Sequence, residues 1–296
     1  MSVSVVIKNA ARTCGEGPYW EESTRSLLTM DCFDNKIIRW NSETRHTETV
    51  KLDELCTFII PRKSGGYITS QGAKIVHLDW DNPAGCTTLA EVDQGKDTRF
   101  NDGKCDKMGR LWAGTNGVVI QPDKGTLYSF SRTREARPHM DKITISNGIT
   151  WSLDWTRLFY ADSHPRRVWV FDCDINTGTL SNRRIFLQHA PETLDTLGYP
   201  DGMTTDSDGK LWITCYDAGK VIRVDSETGK IIQEVKFPVM KTTSLCFGGS
   251  NYEDVYVTSD RTPLSEVEFQ KEPLTGSVFK VSGLGIKGLP QFTYEG

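Results

Sequence analysis

The chain has 296 residues, of which 37% are apolar and 25% charged, and its formal net charge is −4. Acidic and basic residues are mixed along the whole sequence without a polybasic stretch, so we expect no nucleic-acid partner. No apolar window approaches the roughly 20 residues that span a bilayer, and the N-terminus lacks a signal-peptide pattern. We therefore expect a cytoplasmic protein with no membrane partner.

Eight cysteines lie singly along the chain. None forms a C-x-x-C pair, which argues against a structural zinc site. Without an export signal, we expect free and mostly buried thiols.

In chain order, a short apolar strand at 4–7 is followed by six repeats of a strand pair rich in β-branched and aromatic residues. The first members are 27–30, 67–70, 111–114, 158–161, 211–214 and 255–258; the second are 36–40, 74–78, 126–130, 167–171, 220–224 and 277–281. A short segment precedes each pair and a more polar one follows it. Six units of four antiparallel strands predict an all-β fold, a six-bladed β-propeller forming one domain over 1–296.

The strand at 4–7 has no partner within the first unit. A propeller with free first and last blades would expose sheet edges, so we expect this N-terminal strand to close the ring by pairing with the C-terminal blade. A closed ring leaves no edge that demands a partner, and we expect a monomer.

Equivalent positions of the six units should surround one axis, because the first strand of each blade lines the channel. These positions, 42 to 54 residues apart, are Glu16, Phe58, Asn101, Asn147, Asp201 and Thr243. Inward carboxylates would repel one another unless a cation compensates them. Glu16, Asn147 and Asp201 are therefore predicted to hold one divalent metal ion, with Ca²⁺ favoured and Zn²⁺, Mn²⁺ or Mg²⁺ as alternatives.

Other interpretations of these motifs stay open. Asn-Gly and Asp-Gly are also common hairpin-turn dipeptides, so each motif alone is not diagnostic. The segment 206–209 resembles the start of a calcium loop but lacks the distal Glu, and we interpret it as a hairpin. Arg99, two residues before Asn101 on the same strand face, would suit a carboxylate or hydroxyl-rich ligand, although a plain salt bridge explains it equally well.

Several segments, in order over nearly the whole chain, resemble the SMP-30/gluconolactonase/luciferin-regenerating-enzyme family. They are Gly-Glu-Gly-Pro at 15–18, Arg-Phe-Asn-Asp-Gly-Lys at 99–104, Ser-Asn-Gly at 146–148, Pro-Asp-Gly-Met at 200–203 and Cys-Phe-Gly-Gly at 246–249. The resemblance implies a six-bladed fold, Glu16, Asn147 and Asp201 as metal ligands, and Arg99 and Asn101 as substrate contacts.

The resemblance also implies an enzyme, a metal-dependent lactonase that hydrolyses sugar lactones such as gluconolactone. Asp201 would be its general base toward water. The alternatives are a calcium-binding regulatory protein without important catalysis, and a related hydrolase or luciferin-regenerating enzyme with the same metal cage. Two departures bear on the substrate: the loop at 116–121 is short and lacks an acidic residue, and Thr150 replaces the Asp of animal members.

Overall fold

The computed structural model describes residues 1–262 and 265–296, whose strands form six four-stranded antiparallel sheets. Blade 1 contains β2 (Gly15–Glu21), β3 (Ser26–Asp31), β4 (Lys36–Asn41) and β5 (Thr47–Lys51). Blade 2 contains β6 (Ile59–Pro61), β7 (Tyr67–Gln71), β8 (Lys74–Leu78) and β9 (Thr87–Glu91). Blade 3 contains β10 (Thr98–Cys105), β11 (Leu111–Gly117), β12 (Gly125–Phe130) and β13 (Ala136–Ile143).

The second half of the ring repeats this order. Blade 4 contains β14 (Ser146–Trp151), β15 (Arg157–Asp162), β16 (Arg167–Asp174) and β17 (Thr179–Gln188). Blade 5 contains β18 (Tyr199–Thr205), β19 (Leu211–Tyr216), β20 (Lys220–Val224) and β21 (Ile231–Lys236). Blade 6 contains β22 (Thr242–Gly248), β23 (Asp254–Ser259), β24 (Val278–Ser282) and, at its outer edge, β1 (Ser2–Ile7). The protein is thus a six-bladed β-propeller, as predicted.

The predicted closure of the ring is also confirmed. Strand β1 pairs antiparallel with β24, with Val3 opposite Val281 and Val5 opposite Phe279. The two short helices, α1 (Leu194–Leu197) and α2 (Glu266–Lys271), lie in connections and not in the blades. All eight cysteines lie in the described part of the chain and are free, and six of them are buried.

The apolar core lies between blades, where the faces of neighbouring sheets pack. Its largest fully buried side chains include Trp112, Trp212 and Tyr160, each from the second strand of a blade. Aromatic rings of neighbouring blades meet edge to face, as Trp112 and Trp151 do at a centroid distance of 6.3 Å. Such pairs fix the angle between blades as well as burying apolar surface.

The first strands of the blades contact one another around the central axis. Their first residues line a cavity of about 400 Å³ at one end of the channel. Their last residues lie at the other end, where Lys104 and Met203 line a cavity of only about 30 Å³ with Gln291 and Phe292. The channel is therefore open at one end and filled at the other.

The filled end is covered by residues 283–296, which we call the C-terminal tail. It contacts all six blades. Four backbone hydrogen bonds join N–H to carbonyl: Ser207 to Lys287 (2.8 Å), Gly288 to Tyr252 (2.8 Å), Tyr294 to Pro61 (2.9 Å) and Glu295 to Gly109 (3.0 Å). The side-chain oxygen of Gln291 accepts from the N–H of Trp20 at 3.1 Å. The ring centroids of Phe292 and Trp155 are 5.3 Å apart. A single segment thus ties together blades that are far apart in sequence.

Candidate metal centre

The predicted site residues lie at breaks in the regular pairing of the inner strands. In five of the six, all within residues 1–262, the register between first and second strand shifts at or directly after the predicted position. In β18, for example, Asp201 and Gly202 lie between the pairs Pro200–Cys215 and Met203–Ile213. Such β-bulges turn a side chain away from the alternation of the strand, here toward the axis.

Buried threonines on the second strands hold these bulges in place. The hydroxyl of Thr29 donates to the carbonyl of Glu16 at 2.8 Å. The hydroxyl of Thr214 lies 3.0 Å from the carbonyl of Gly202 and 2.5 Å from that of Thr243, in the next blade. Carbonyl groups that lose their interstrand hydrogen bonds at a bulge therefore accept hydrogen bonds from threonine hydroxyls instead.

Glycines beside the site residues allow the inner strands to approach closely. A Cβ atom on Gly148 would lie 2.5 Å from the carbonyl oxygen of Asp201, and one on Gly202 would lie 2.2 Å from the hydroxyl of Ser244. Both distances are far inside van der Waals contact. Gly148 and Gly202, in the dipeptides Asn147-Gly148 and Asp201-Gly202, are thus needed for packing around the axis, and these two dipeptides lie within strands and not in hairpin turns.

The structure brings five of the six predicted channel residues to the large cavity: Glu16, Asn101, Asn147, Asp201 and Thr243. Phe58 is the exception. It lines the filled end of the channel, and its neighbour Thr57 faces the large cavity in its place. Strand β6 begins only at Ile59 and has no register shift, so the side chain at 58 keeps the opposite orientation.

The three predicted metal ligands keep oxygen atoms available to the cavity. Oδ1 of Asp201 is buried and has no hydrogen-bond partner among the described residues. The amide nitrogen of Asn147 donates to the hydroxyl of Ser163 at 2.9 Å, which leaves its oxygen as the acceptor. Oε2 of Glu16 accepts only from the adjacent N–H of Gly17, at 2.9 Å. This donor set fits a hard cation with oxygen ligands.

The electrostatics of the cavity favour a bound cation. Burial raises the pKa of the Asp201 carboxyl well above its ordinary range, and the negative charges of Glu16, Asp102 and Asp260 raise it further. Burial and Asp102 act in the same direction on the pKa of Glu16. Within the described chain no group of three His, Cys, Asp or Glu side chains is arranged as metal ligands, so the candidate set comprises two carboxylates and one amide.

Arg99 and Asn101 form a connected pair beside these ligands. The guanidinium of Arg99 donates to the amide oxygen of Asn101 at 2.8 Å, and the Asn101 amide nitrogen donates to the carbonyl of Ser146 at 2.7 Å. The plain salt bridge that would also explain Arg99 is not found among residues 1–262 and 265–296. The charge of Arg99 lowers the pKa of Glu16, and burial lowers the pKa of Arg99 itself.

Several cavity residues were not predicted from the sequence. Asp260, after the second strand of blade 6, accepts from the hydroxyl of Tyr216 at 2.7 Å and from the N–H of Thr262 at 2.6 Å. Asp260 lies one residue beyond the repeat position of Asp31 and Asp162, because Ser259 is the residue of blade 6 that is equivalent to them. The repeat pattern therefore gave no signal for it. Phe33 and Ile120 also line the cavity. They lie in connections, where the repeat pattern gives no information.

The possible calcium loop at 206–209 is a hairpin between β18 and β19, as predicted. Oδ1 of Asp206 accepts from the N–H groups of Asp208 and Lys210, both at 2.9 Å. Its Oδ2 accepts from the indole of Trp212 at 2.8 Å and from Arg223 at 2.7 Å. This carboxylate is fully engaged in supporting the blade.

Comparison with known proteins identifies the family of this chain. The family model described as "SMP-30/Gluconolactonase/LRE-like region" matches residues 14–261, which include every predicted site residue. The chain belongs to this family. It is 41% identical over 298 residues to regucalcin of Danio rerio, covering 100% of this chain and 99% of the relative.

Solved structures place this SMP-30/gluconolactonase family member among known propellers. A luciferin-regenerating enzyme superposes with a TM-score of 0.92 at 31% identity, covering 99% of both chains. A protein described as a calcium-binding protein, regucalcin, from Agrobacterium tumefaciens has the same TM-score at 22% identity, covering 99% of this chain and 97% of its own. The latter likeness shows the fold alone.

The two departures from the family pattern have different consequences. Thr150 lies at the filled end of the channel, where its hydroxyl is 2.8 Å from that of Thr205, so it takes no part in the site. The loop after β11 does reach the site, because Ile120 lines the cavity. No helix of this family member, as far as it is described, is long and apolar enough to cross a membrane.

Proposed function

We propose that this protein is a metal-dependent lactonase that hydrolyses lactones of the gluconolactone type. The observation that carries the proposal is the unpartnered, buried Oδ1 of Asp201, which faces the same cavity as Glu16 and Asn147. A buried carboxylate oxygen without a partner is costly unless a ligand satisfies it. The family description, which includes gluconolactonase, supports the reaction class.

Glu16, Asn147 and Asp201 would hold one divalent cation, with Ca²⁺ favoured and Zn²⁺, Mn²⁺ or Mg²⁺ as alternatives. When bound, the cation would supply Lewis acidity, which polarises a lactone carbonyl and makes water easier to deprotonate.

Side chains of the protein would orient the substrate and transfer the proton. Arg99 and Asn101 would orient the lactone by donating hydrogen bonds to its oxygens, and the Arg99–Asn101 contact of 2.8 Å holds the two groups in one arrangement. Asp201 would accept the proton of the attacking water through one carboxylate oxygen. Attack at the carbonyl carbon and cleavage of the ring C–O bond give the hydroxy acid.

The test is gluconolactone hydrolysis with and without a chelator, in the wild type and in Asp201→Ala. We expect chelation to abolish turnover, added Ca²⁺ to restore it, and the variant to lose at least about a thousandfold in kcat/KM. Asp141→Ala, on the exposed strand β13, is the matched control and should keep full activity. Retained turnover in Asp201→Ala would refute the assignment, and tight Ca²⁺ binding without any turnover would favour the regulatory alternative.

A further inference from the structure

The cavity that contains Asp201 has an apolar side as well as a polar one. Phe33, Ile120, Ile145 and Tyr199 line it together with the carboxylates and amides. Phe33 lies in the turn between β3 and β4, and Ile120 in the loop between β11 and β12. Their exposed fractions are 52% and 41%, so these two side chains stand at the mouth of the cavity.

Ile120 ends a run of three exposed apolar residues. Val118 and Val119 before it are 53% and 66% exposed. Single exposed apolar residues are normal, whereas a contiguous group on a loop marks a binding surface, because it contributes nothing to the core. The N–H of Val118 donates to the carbonyl of Asp97 at 3.1 Å and anchors the start of the run.

This apolar surface adjoins the groups proposed to hold the lactone. The guanidinium carbon of Arg99 is 5.8 Å from the ring centroid of Phe33. Blade 5 contributes the ring of Tyr199, which stacks with the ring of His164 from blade 4 at a centroid distance of 6.2 Å and an interplanar angle of 26°. A ligand whose polar end reaches Asn101 therefore has apolar surface on more than one side.

We propose that Phe33 and Ile120 form a subsite for an apolar substituent, so that alkyl- or aryl-substituted lactones are preferred over fully hydroxylated sugar lactones. The inference rests on the lactonase function and narrows its substrate class. An alkyl chain packed against Phe33 and Ile120 removes apolar surface of both the ligand and the protein from water. The hydroxyls of a sugar lactone would lose hydration at the same place. Both residues line the cavity itself, which favours a small ligand over a protein partner.

The first measurement compares two lactones that differ only in the substituent. δ-Nonalactone carries a butyl chain on the ring of δ-valerolactone, and both are assayed with Ca²⁺ present. For the wild type we expect kcat/KM to be about tenfold higher for δ-nonalactone, since each partly buried methylene favours the longer substrate. A ratio of one or less in an active enzyme would overturn the subsite while leaving the lactonase function intact.

Variants test whether Phe33 and Ile120 cause the preference for δ-nonalactone. Ile120→Ser and Phe33→Ser should each reduce the ratio of the two kcat/KM values by about threefold or more. Val119→Ser is the matched control, because Val119 is exposed in the same loop but does not line the cavity, and its ratio should equal that of the wild type. A ratio unchanged in Ile120→Ser, together with self-association that Val119→Ser abolishes, would assign the loop to protein contact and overturn the proposal.

Binding measurements test the apolar subsite even if no lactone is hydrolysed. The δ-lactams corresponding to the two lactones resist hydrolysis, and their affinities are obtained by isothermal titration calorimetry. Tighter binding of the butyl lactam by the wild type, reduced in Ile120→Ser, supports the subsite. Equal affinities for both lactams refute it. Absence of turnover for every lactone, by contrast, counts against the proposed function alone.

Discussion

The two ends of the channel differ in how their polar groups are satisfied. At the open end, bulges aim Glu16 and Asp201 into a cavity where Oδ1 of Asp201 has no hydrogen-bond partner within residues 1–262 and 265–296. At the filled end, the C-terminal tail supplies partners, as when the side-chain oxygen of Gln291 accepts from the N–H of Trp20 at 3.1 Å. The filled end therefore stabilises the fold, whereas the open end keeps polar groups available to the ligand proposed for it.

Replacing Tyr294 should have the largest effect on stability. Tyr294 is 1% exposed, belongs to the core cluster between blades 1 to 3, and donates its hydroxyl to the carbonyl of Ser131 at 3.2 Å. We expect Tyr294→Ala to reduce the free energy of unfolding by about 3 to 5 kcal/mol, measured by urea denaturation. Tyr294→Phe keeps the ring and should lose only about 1 kcal/mol. Equal losses in the two variants would show that ring packing is not what secures the tail.

Lowering the pH should destabilise the protein through protonation of His189, which lies near the open end of the channel. His189 lies beside Gly198, the residue before Tyr199 of the cavity wall, and burial lowers the pKa of this histidine to about 4, with the charge of Arg166 adding to the effect. The folded state then binds fewer protons than the unfolded state between about pH 4 and 6.5. Stability is therefore full above that window and is lost as pH falls through it, by about 3 kcal/mol from this group.

The check is the free energy of unfolding at several pH values from 7.5 to 4.5. In His189→Gln, which cannot be protonated, the decrease should be smaller than in the wild type by the contribution of His189. Carboxylates common to both proteins affect the two curves equally. Parallel curves would show that protonation of His189 does not limit acid stability.

Asp201→Asn should have the smallest effect, and of opposite sign. In a chelator, removing a buried charge beside Glu16 should raise the free energy of unfolding by about 1 to 2 kcal/mol. Added Ca²⁺ should raise the unfolding temperature of the wild type but not of this variant. Asp141→Asn, exposed on β13, should match the wild type in both conditions. A variant less stable than the wild type in chelator would mean that the carboxylate serves the fold.

Repeat spacing identified five positions that line one cavity, because each unit places its first strand at the same distance from the axis. It failed at Phe58 because the orientation of a side chain in a strand depends on single-residue register, and β6 lacks the bulge that the other inner strands have. The bulges themselves were signalled only indirectly, by the glycines at 148 and 202. Asp260 was missed because it lies one residue beyond the repeat position of Asp31 and Asp162, which Ser259 occupies in blade 6.

The connections and the tail could not be predicted from the same pattern. Residues 283–296 have no strand periodicity, and their hydrogen-bond and ion-pair partners lie between 34 and 272 residues away in sequence, at Glu253 and Tyr19 among others. The role of Ile120 depends on where the loop after β11 turns, which local sequence does not specify. Regular elements repeat and can be aligned with one another, whereas these segments occur once.

The pairing of β1 with β24 has a consequence for how the protein is made. Residues 2–7 leave the ribosome well before their partners at 278–282 are synthesised. The ring therefore cannot close until residues 278–282 have been synthesised, and β1 waits without its strand partner until blade 6 forms.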